Sequence, residues 1–112
     1  MIATIYKIAP ESLWREAVDH GTFTGAPVDV TDGFIHFSTA AQVRDTAARH
    51  FAGAADLVLV AVATAGLDLR WEPSRGGDLF PHLYEPLPLT AGQWVKPLPL
   101  NATGRHDFPI LD

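Results

Sequence analysis

The sequence predicts an α+β fold, a single domain over residues 1–112 with one mixed, mostly antiparallel sheet and two early helices. The chain of 112 residues is long enough for one hydrophobic core and too short for two. Hydrophobic residues make up 47% and charged residues 19%, which is typical of a globular protein. Helical patterns occur early and strand patterns continue to the end, an order that favours α+β over a doubly wound sheet.

The N-terminal part of the chain predicts a strand, a helix and a loop. Residues 3–8 alternate around Ile and Tyr and predict the first strand. Pro10 and Glu11 predict a helix start, because proline suits the first turn and a carboxylate complements the helix dipole. Gly21 predicts the end of this helix. Residues 22–32 are rich in Gly, Pro and Asp, and we interpret them as a loop.

A second strand and a second helix follow. The apolar run at residues 33–37 predicts the strand. Thr39 with Gln42 three residues later is the pattern of a capping box and predicts a helix that ends at Gly53. The apolar face of this helix consists of Val43, Ala47 and Phe51.

The second half of the chain predicts strands. Residues 56–63 are nearly continuous Val, Leu and Ala, which favours a central strand buried on both faces. Residues 67–71 predict a short strand or a turn, and residues 79–84 and 93–98 predict further strands. The prolines around them favour positions near sheet edges or in loops. We interpret the last dozen residues as an extended tail packed on the domain.

Composition limits the classes of function. The net charge is −5 and the eight Lys and Arg are scattered, which argues against binding of duplex nucleic acid and leaves a small anionic ligand open. The absence of cysteine excludes disulfides and thiolate metal sites and fits a cytoplasmic protein. The longest apolar run, residues 57–63, is too short to span a membrane, and we expect no signal peptide and no membrane association.

The densest group of polar side chains lies in residues 71–84. Its candidate site residues are Trp71, Glu72, Arg75, Gly76, Gly77, His82 and Tyr84. The Gly-Gly pair lets the backbone approach a ligand, and the guanidinium of Arg75 suits carboxylate or phosphate. His82 and Tyr84 alternate on one strand face and would line a pocket. The alternatives are a surface turn in which Arg75 pairs with a neighbouring carboxylate, and a sheet rim for the two rings.

A second polar group follows the strand at residues 33–37. By strand alternation, His36 and Ser38 share one face, and Ser38 and Thr39 lie where the strand gives way to a helix. Backbone N–H groups at such a position favour an anion. In the alternative interpretation, His36 is a partly buried histidine with its hydrogen bonds satisfied, and Thr39 is only a helix cap.

Motifs for other chemistries are missing from the sequence. No histidine pair has the helical spacing with glutamate that zinc enzymes show, so we predict no metal site, although His36, Asp78 and His82 could meet in space. There is no Gly-x-Ser-x-Gly motif, no phosphate-binding loop and no dinucleotide fingerprint.

Taken together, these segments resemble a bacterial and plant family, domain-of-unknown-function family 952. The matching segments are residues 5–8, the helix containing Leu13 and Trp14, and residues 32–39, 51–57 and 70–84. They cover most of the chain.

The fold of this family is similar to that of ADP-ribosyltransferases, which implies the same fold here. In those enzymes the first strand ends in a His-Gly-Thr pattern that holds NAD, and Lys7 stands at the histidine position. The related RNA 2′-phosphotransferases have a His-x-His-Leu-Ser-like motif that His36 and Ser38 match. ADP-ribosyltransferases also have a glutamate late in the chain. Glu85 is a candidate for it only because it lies in the corresponding part of the sequence. The resemblance makes NAD the candidate cofactor and leaves open whether the chain transfers ADP-ribose.

These observations lead to two hypotheses. In the first, the strand of His36 and the segment 71–84 form a pocket for a phosphorylated nucleotide-type ligand such as NAD or ADP-ribose. An enzyme of this kind would be a transferase or hydrolase of ADP-ribosyl or phosphoribosyl type. In the second, the chain is a non-enzymatic sensor of a small molecule or a protein-interaction module. The sequence leaves the oligomeric state open.

Each candidate residue has an expected part in the first hypothesis. The catalytic candidates are His36, Arg75, His82 and Tyr84. The ligand-binding candidates are Lys7, Ser38, Thr39, Trp71, Glu72, Gly76 and Gly77. We expect Arg75 and Lys7 to contact phosphate, His36 and Ser38 to contact ribose or phosphate, and Trp71 or Tyr84 to stack on a ring.

Overall fold

The computed structural model describes residues 2–111, and of Arg75 the backbone alone. The strands are β1 (Thr4–Pro10), β2 (Thr22–Phe23), β3 (Ile35–His36), β4 (Leu57–Ala63), β5 (Leu69–Pro73), β6 (Leu79–Leu83), β7 (Leu87–Pro88) and β8 (Gly92–Pro97). The helices are α1 (Glu11–His20), α2 (Pro27–Asp32) and α3 (Val43–His50). Short 3-10 turns occupy Arg75–Gly77 and Leu89–Ala91. The fold class is therefore α+β, as predicted.

The strands form three small antiparallel sheets, with the strand orders β1-β4-β8, β3-β6-β5 and β2-β7. The prediction of a single mixed sheet was wrong in this respect, since every strand pair in residues 2–111 is antiparallel. A parallel pair needs a crossover of a dozen or more residues, usually a helix that packs back on the same sheet. Here α1 leads from β1 into a different sheet, so this connection creates no parallel neighbour.

The strand β4 is the centre of the largest sheet. Six of its seven residues are buried, which confirms the prediction of a central strand covered on both faces. Side chains on the two faces of β1 and β4 alternate between two hydrophobic clusters. One cluster packs Val58, Val60 and Val62 against α1, and the other packs Leu57, Leu59 and Ala61 against α3 and the C-terminal segment.

The helix α1 has the predicted bounds. It begins at Glu11 directly after β1, and it ends before Gly21, whose φ of 84° places it in the left-handed region that glycine adopts without strain. Trp14 and Ala17 are its buried residues and face the core.

Residues 22–32 are not the loop that the sequence predicted. They contain β2 and the six-residue helix α2, which has Pro27 at its first turn. The carboxylate of Asp29 accepts a hydrogen bond from the backbone N–H of Ala26 at 2.7 Å, so the helix start is capped from inside the helix. Gly33 then ends α2 with a φ of 85°, which is why the strand predicted at residues 33–37 shortens to β3.

The helix α3 begins three residues later than the Thr39–Gln42 pattern suggests. The side chain of Gln42 accepts the backbone N–H of Thr39 at 3.1 Å, so half of the capping box is present. These two residues form a turn before the helix, with Gln42 as the residue at its N-terminal boundary. Val43 and Ala47 are buried as predicted, and Phe51 follows the last helical turn two residues before Gly53.

The later strands confirm the predicted pattern. The strands β5, β6 and β8 lie within one or two residues of the predicted segments, and the short segment at 67–71 proves to be a strand. The C-terminal segment folds back on itself through a bridge between Leu100 and His106. It contacts the domain through His106, whose Nε2 lies 2.8 Å from the carbonyl oxygen of Ala54, and through Phe108 and Leu111, which pack on the core. Within residues 2–111 no helix has the length and apolar character to cross a membrane.

The segment after β3 links two of the sheets. The backbone N–H of Phe37 donates to the carbonyl of Pro81 at 3.0 Å, so Phe37 extends the pairing with β6. One residue later, Ser38 and Tyr6 exchange backbone hydrogen bonds of 2.8 and 2.9 Å, which joins this segment to β1. The crossing brings β1, β3, β6 and α3 around one cavity.

Candidate functional site

A cavity of about 500 Å³ lies between β1, the segment after β3, α3 and β6. Its apolar wall consists of Tyr6, Ile8, Val28, Phe37, Phe51 and Phe80. Its polar residues are Lys7, Asp32, His36, Ser38, Thr46, His50, Ser74 and His82. The exposed wall is mainly apolar, with a small number of polar groups, which is the usual character of a pocket for a small molecule.

The structure brings together some of the candidate residues and not others. Four line the cavity, namely Lys7, His36, Ser38 and His82. Six do not line it, namely Thr39, Trp71, Glu72, Gly76, Gly77 and Tyr84. The predicted role of Arg75 falls on a side chain outside the described residues. The segment 71–84 reaches the cavity through Ser74, Phe80 and His82.

The carboxylate of Asp29 is the buried hydrogen-bonding centre beside this cavity. Its residue is 1% exposed, and it contacts Lys7, His36 and the backbone of Ala26. Burial alone would raise the pKa of this carboxyl. The hydrogen bond from His36 and the charge of Lys7 outweigh burial and lower the pKa to about 2. Asp29 is therefore ionised and binds α2 to β1 and β3.

Lys7 already has its hydrogen-bond partners within the protein. Its Nζ lies 3.0 and 2.9 Å from the two carboxylate oxygens of Asp29, and it donates to the carbonyl of His36 at 2.9 Å. Burial lowers the pKa of the Lys7 ammonium, and the Asp29 charge opposes that effect. Because an ammonium has three donors, these partners leave little capacity for a ligand.

His36 is held by two carboxylates. Its Nδ1 lies 2.6 Å from Asp29 Oδ1, and its Nε2 lies 2.9 Å from Asp32 Oδ2. The backbone N–H of His36 also donates to Asp29 at 3.1 Å. Both ring nitrogens thus face acceptors, and a ring that donates at both positions carries a positive charge.

His82 lies directly opposite His36 in the pairing of β3 with β6. Its Nδ1 is 2.8 Å from Glu72 Oε1, and the hydroxyl of Tyr84 donates to the same oxygen at 2.6 Å. The hydrogen bonds from Tyr84 and His82 lower the pKa of Glu72, and the same contact with Glu72 raises the pKa of Tyr84. Glu72 and Tyr84 therefore support His82 from outside the cavity.

The ring of Phe34 fixes the spacing of these groups. It stacks on His82 with a centroid distance of 4.2 Å, and it contacts His36 at 4.6 Å and Tyr84 at 5.0 Å. The two histidine rings are 5.4 Å apart, edge to face. Packing against a common aromatic ring limits the rotation of both imidazoles.

Ser38 contributes a hydroxyl to the cavity. Its Oγ is 2.9 Å from Thr46 Oγ1. The backbone N–H groups proposed as an anion site have partners within the protein, since Ser38 donates to Tyr6 and Thr39 donates to Gln42. In the part of the chain that the structure describes, no cluster of three or more His, Asp or Glu is placed to hold a metal ion.

Comparison with protein families matches residues 8–95 to the model described as Protein of unknown function (DUF952). The chain belongs to this family. The membership predicted from the sequence is thus confirmed. A search of curated proteins found no match.

The DUF952 chain is also similar to solved structures of protein CC0527 from Caulobacter crescentus. The crystal structure is 46% identical with a TM-score of 0.88, and the alignment covers 93% of each chain. A double methionine variant is 45% identical with the same TM-score and coverage. A solution NMR structure is 47% identical with a TM-score of 0.82, covering 91% of this chain and 90% of the other.

Among the residues that hold the two histidines, sequence reasoning missed Asp29, Asp32 and Phe34. It also missed most of the cavity wall, including Phe80. Asp29 and Asp32 fell in the predicted loop, although Pro27 followed by Asp29 is a pattern that starts a helix. Gly25 was a second local signal, because its φ of 114° favours glycine and an added Cβ would also lie only 2.7 Å from the Cβ of Asp29. Phe34 shares the predicted strand face with His36 and was available from the alternation alone.

The low pKa of Asp29 predicts acid sensitivity of the DUF952 fold. The folded-state pKa of about 2 lies below the ordinary value of 3.8, so this group stabilises the fold above that ordinary value. About 2 kcal/mol of this stability is lost as the pH falls from about 4 towards 2. Urea unfolding at several pH values should show the loss in the wild type. The Asp29→Asn variant should have a smaller slope over this range, and equal slopes would contradict the assignment.

Proposed function

We propose that the cavity binds a small phosphorylated ligand of nucleotide type, such as NAD or ADP-ribose. The observation that carries the proposal is the His36–His82 pair, held on one wall of a mainly apolar cavity of about 500 Å³. Imidazole nitrogens and a serine hydroxyl suit phosphate and ribose oxygens, whereas the aromatic and aliphatic wall suits a base. The volume lies within the range of pockets that bury a small ligand.

The residues of the cavity have distinct parts in this proposal. His36 brings its imidazole ring to the phosphate, His82 and the hydroxyl of Ser38 contact phosphate or ribose oxygens, and Phe80 packs on the base. Arg75 follows the cavity-lining Ser74 and stays the proposed phosphate partner. Lys7 acts indirectly, because its ammonium holds Asp29 and through it His36.

A link to ADP-ribosyltransferases forms part of the proposal. Its support is the match of His36 and Ser38 to the second motif of those enzymes, together with the antiparallel α+β architecture. Lys7 replaces the histidine that holds NAD in them, and its ammonium is engaged with Asp29. Because the residue that holds NAD in those enzymes is replaced here, we do not limit the proposed ligand to NAD and include ADP-ribose and nucleoside phosphates.

A non-enzymatic role in protein interaction has less support. The large apolar residues Trp94, Leu98 and Leu100 near the C-terminal end of the chain would form an interaction surface if they were exposed together. Leu98 is 1% exposed and belongs to the core, and Trp94 packs against Tyr6 with a centroid distance of 5.9 Å. The second candidate is a sensor that binds a ligand in the same cavity but catalyses no reaction, because the cavity suits binding with or without catalysis.

Thermal unfolding with and without ligand tests the proposal. NAD, ADP-ribose, adenosine 2′-phosphate, adenosine 3′-phosphate and adenosine 2′,3′-cyclic phosphate form the panel. A ligand at 100 times its dissociation constant stabilises the fold by about 2.7 kcal/mol, which raises the melting temperature by about 10 °C in a chain of this size. The His82→Gln variant should lose the shift, whereas His20→Ala on the exposed surface of α1 should keep it. No shift with any member would overturn the proposal.

A further inference from the structure

We propose that this cavity is a hydrolytic active site in which His82 is the general base and His36 is the general acid for cleavage of a P–O ester bond. The inference rests on the proposed function, since it assumes a phosphorylated ligand in the cavity. It goes further by assigning a reaction class and a separate role to each histidine.

The contacts of His82 suit a base. The Nδ1 of the ring hydrogen-bonds to Glu72 Oε1 at 2.8 Å. An ionised Glu72 accepts the Nδ1 proton, so the neutral ring keeps its lone pair on Nε2. Because His82 lines the cavity and Glu72 does not, we assign the Nε2 edge to the cavity side. His82 is 5% exposed, and this degree of burial fixes the ring.

The contacts of His36 suit an acid. Carboxylates of Asp29 and Asp32 face its two nitrogens, and each accepts a proton that the ring carries. The Asp29 contact is buried and fixes the ring, whereas Asp32 is partly exposed and lies on the cavity side. The proton at Nε2 is therefore the one that a leaving oxygen can take in place of Asp32. A positive ring also stabilises charge that develops on the phosphoryl oxygens.

The reaction balances with one water molecule. The water oxygen forms a bond to phosphorus while His82 Nε2 takes a proton from that water. The P–O bond to the alcohol breaks, and the leaving alkoxide takes the proton from His36 Nε2. The products are the alcohol and a phosphate with one ester bond fewer. His82 then releases its proton and His36 regains one through solvent, so each ring returns to its starting state.

The rings are close enough to act on one phosphoryl group. Their centroids are 5.4 Å apart, and direct opposition of His36 and His82 in the strand pairing fixes this separation. In-line displacement requires the attacking and leaving oxygens on opposite sides of phosphorus, so a phosphate bound across the two rings would have the base near one of these oxygens and the acid near the other. Phe34 packs against both rings and maintains the geometry.

Hydrolysis assays test the assignment. The substrates are the same panel of NAD, ADP-ribose and the three adenosine phosphates. We incubate them with the wild type, His82→Ala, His82→Gln and the surface control His20→Ala. Phosphorus NMR follows the products. We expect release of phosphate or opening of the cyclic ester by the wild type and by His20→Ala. Loss of the general base lowers kcat by about 10²-fold or more. Added imidazole should restore part of the rate to His82→Ala, because the small base can occupy the space of the deleted ring.

The outcomes separate this inference from the proposed function. Ligand-dependent thermal stabilisation without any hydrolysis would overturn the inference and leave ligand binding in place. Hydrolysis that persists in a folded His82→Gln variant would overturn the role of His82. Neither stabilisation nor hydrolysis with any panel member would overturn both. Hydrolysis that falls with His82 and returns with imidazole, but not with acetate at the same pH, would support the assignment.

Discussion

Replacement of Asp29 by alanine is expected to lower the free energy of unfolding by about 3–5 kcal/mol, because it leaves the buried ammonium of Lys7 without a counter-ion. The loss extends beyond this ion pair. The same carboxylate accepts the N–H of Ala26 at the start of α2 and contacts both the ring and the backbone of His36. Urea unfolding of the wild type and the variant at neutral pH measures the difference.

Matched variants separate the charge from the packing. Asp29→Asn keeps the shape and removes the charge, so it should lose most of the same stability. The double variant Lys7→Met with Asp29→Leu should recover only the part of the loss that comes from the unpaired charge, because the backbone N–H groups of Ala26 and His36 still lack their acceptor. If Asp29→Ala unfolds within about 1 kcal/mol of wild type, the pair contributes far less than its burial implies.

The parts of the fold that were predictable depend on local patterns. The helix α1 could be bounded from Glu11 and Gly21 because its start and end signals lie within the helix itself. The strand β4 could be assigned because seven apolar residues in sequence leave no solvated face. In both elements the decisive interactions lie between near neighbours in sequence or follow from hydrophobicity alone.

The helix α2 shows why residues 22–32 were misinterpreted. Gly, Pro and Asp are loop residues by frequency, and six helical residues are too few for a periodic apolar face. What stabilises this helix is the buried contact of Asp29 with Lys7, a residue 22 positions earlier in the sequence. Pro27 and Asp29 mark the helix start locally, but no pattern within residues 22–32 shows the contact with Lys7.

The candidate site divides in the same way. Its two polar segments were identifiable from their composition, and His36 and His82 come from one segment each. Their separate environments were not identifiable, because they depend on the register of β3 with β6 and of β6 with β5. That register puts Glu72 within reach of His82 and leaves Asp29 and Asp32 for His36. Residues that look equivalent in sequence therefore become chemically different after folding.

The Glu72→Gln variant is expected to separate activity from stability. Glu72 is partly exposed and lies outside the cavity, so its replacement should leave the unfolding midpoint close to that of the wild type. If His82 is the base, kcat for the hydrolysed phosphate ester should fall about 10²-fold or more, because the glutamine amide N–H can donate to Nδ1 and so places the ring proton on Nε2. KM should change little, since Glu72 is a positioning residue.

Steady-state kinetics of Glu72→Gln, Tyr84→Phe and the surface control Glu16→Gln check this expectation. Tyr84→Phe keeps the carboxylate and removes one donor to it, so its kcat should lie between the wild type and Glu72→Gln. If the role of Glu72 were only structural, its replacement would lower the free energy of unfolding and kcat together. The kcat of Tyr84→Phe would then not have to lie between those of the wild type and Glu72→Gln. If kcat falls while the unfolding midpoint stays unchanged, the carboxylate acts by setting the tautomer of His82. In the part of the chain that the structure describes, no other contact of Glu72 reaches the cavity.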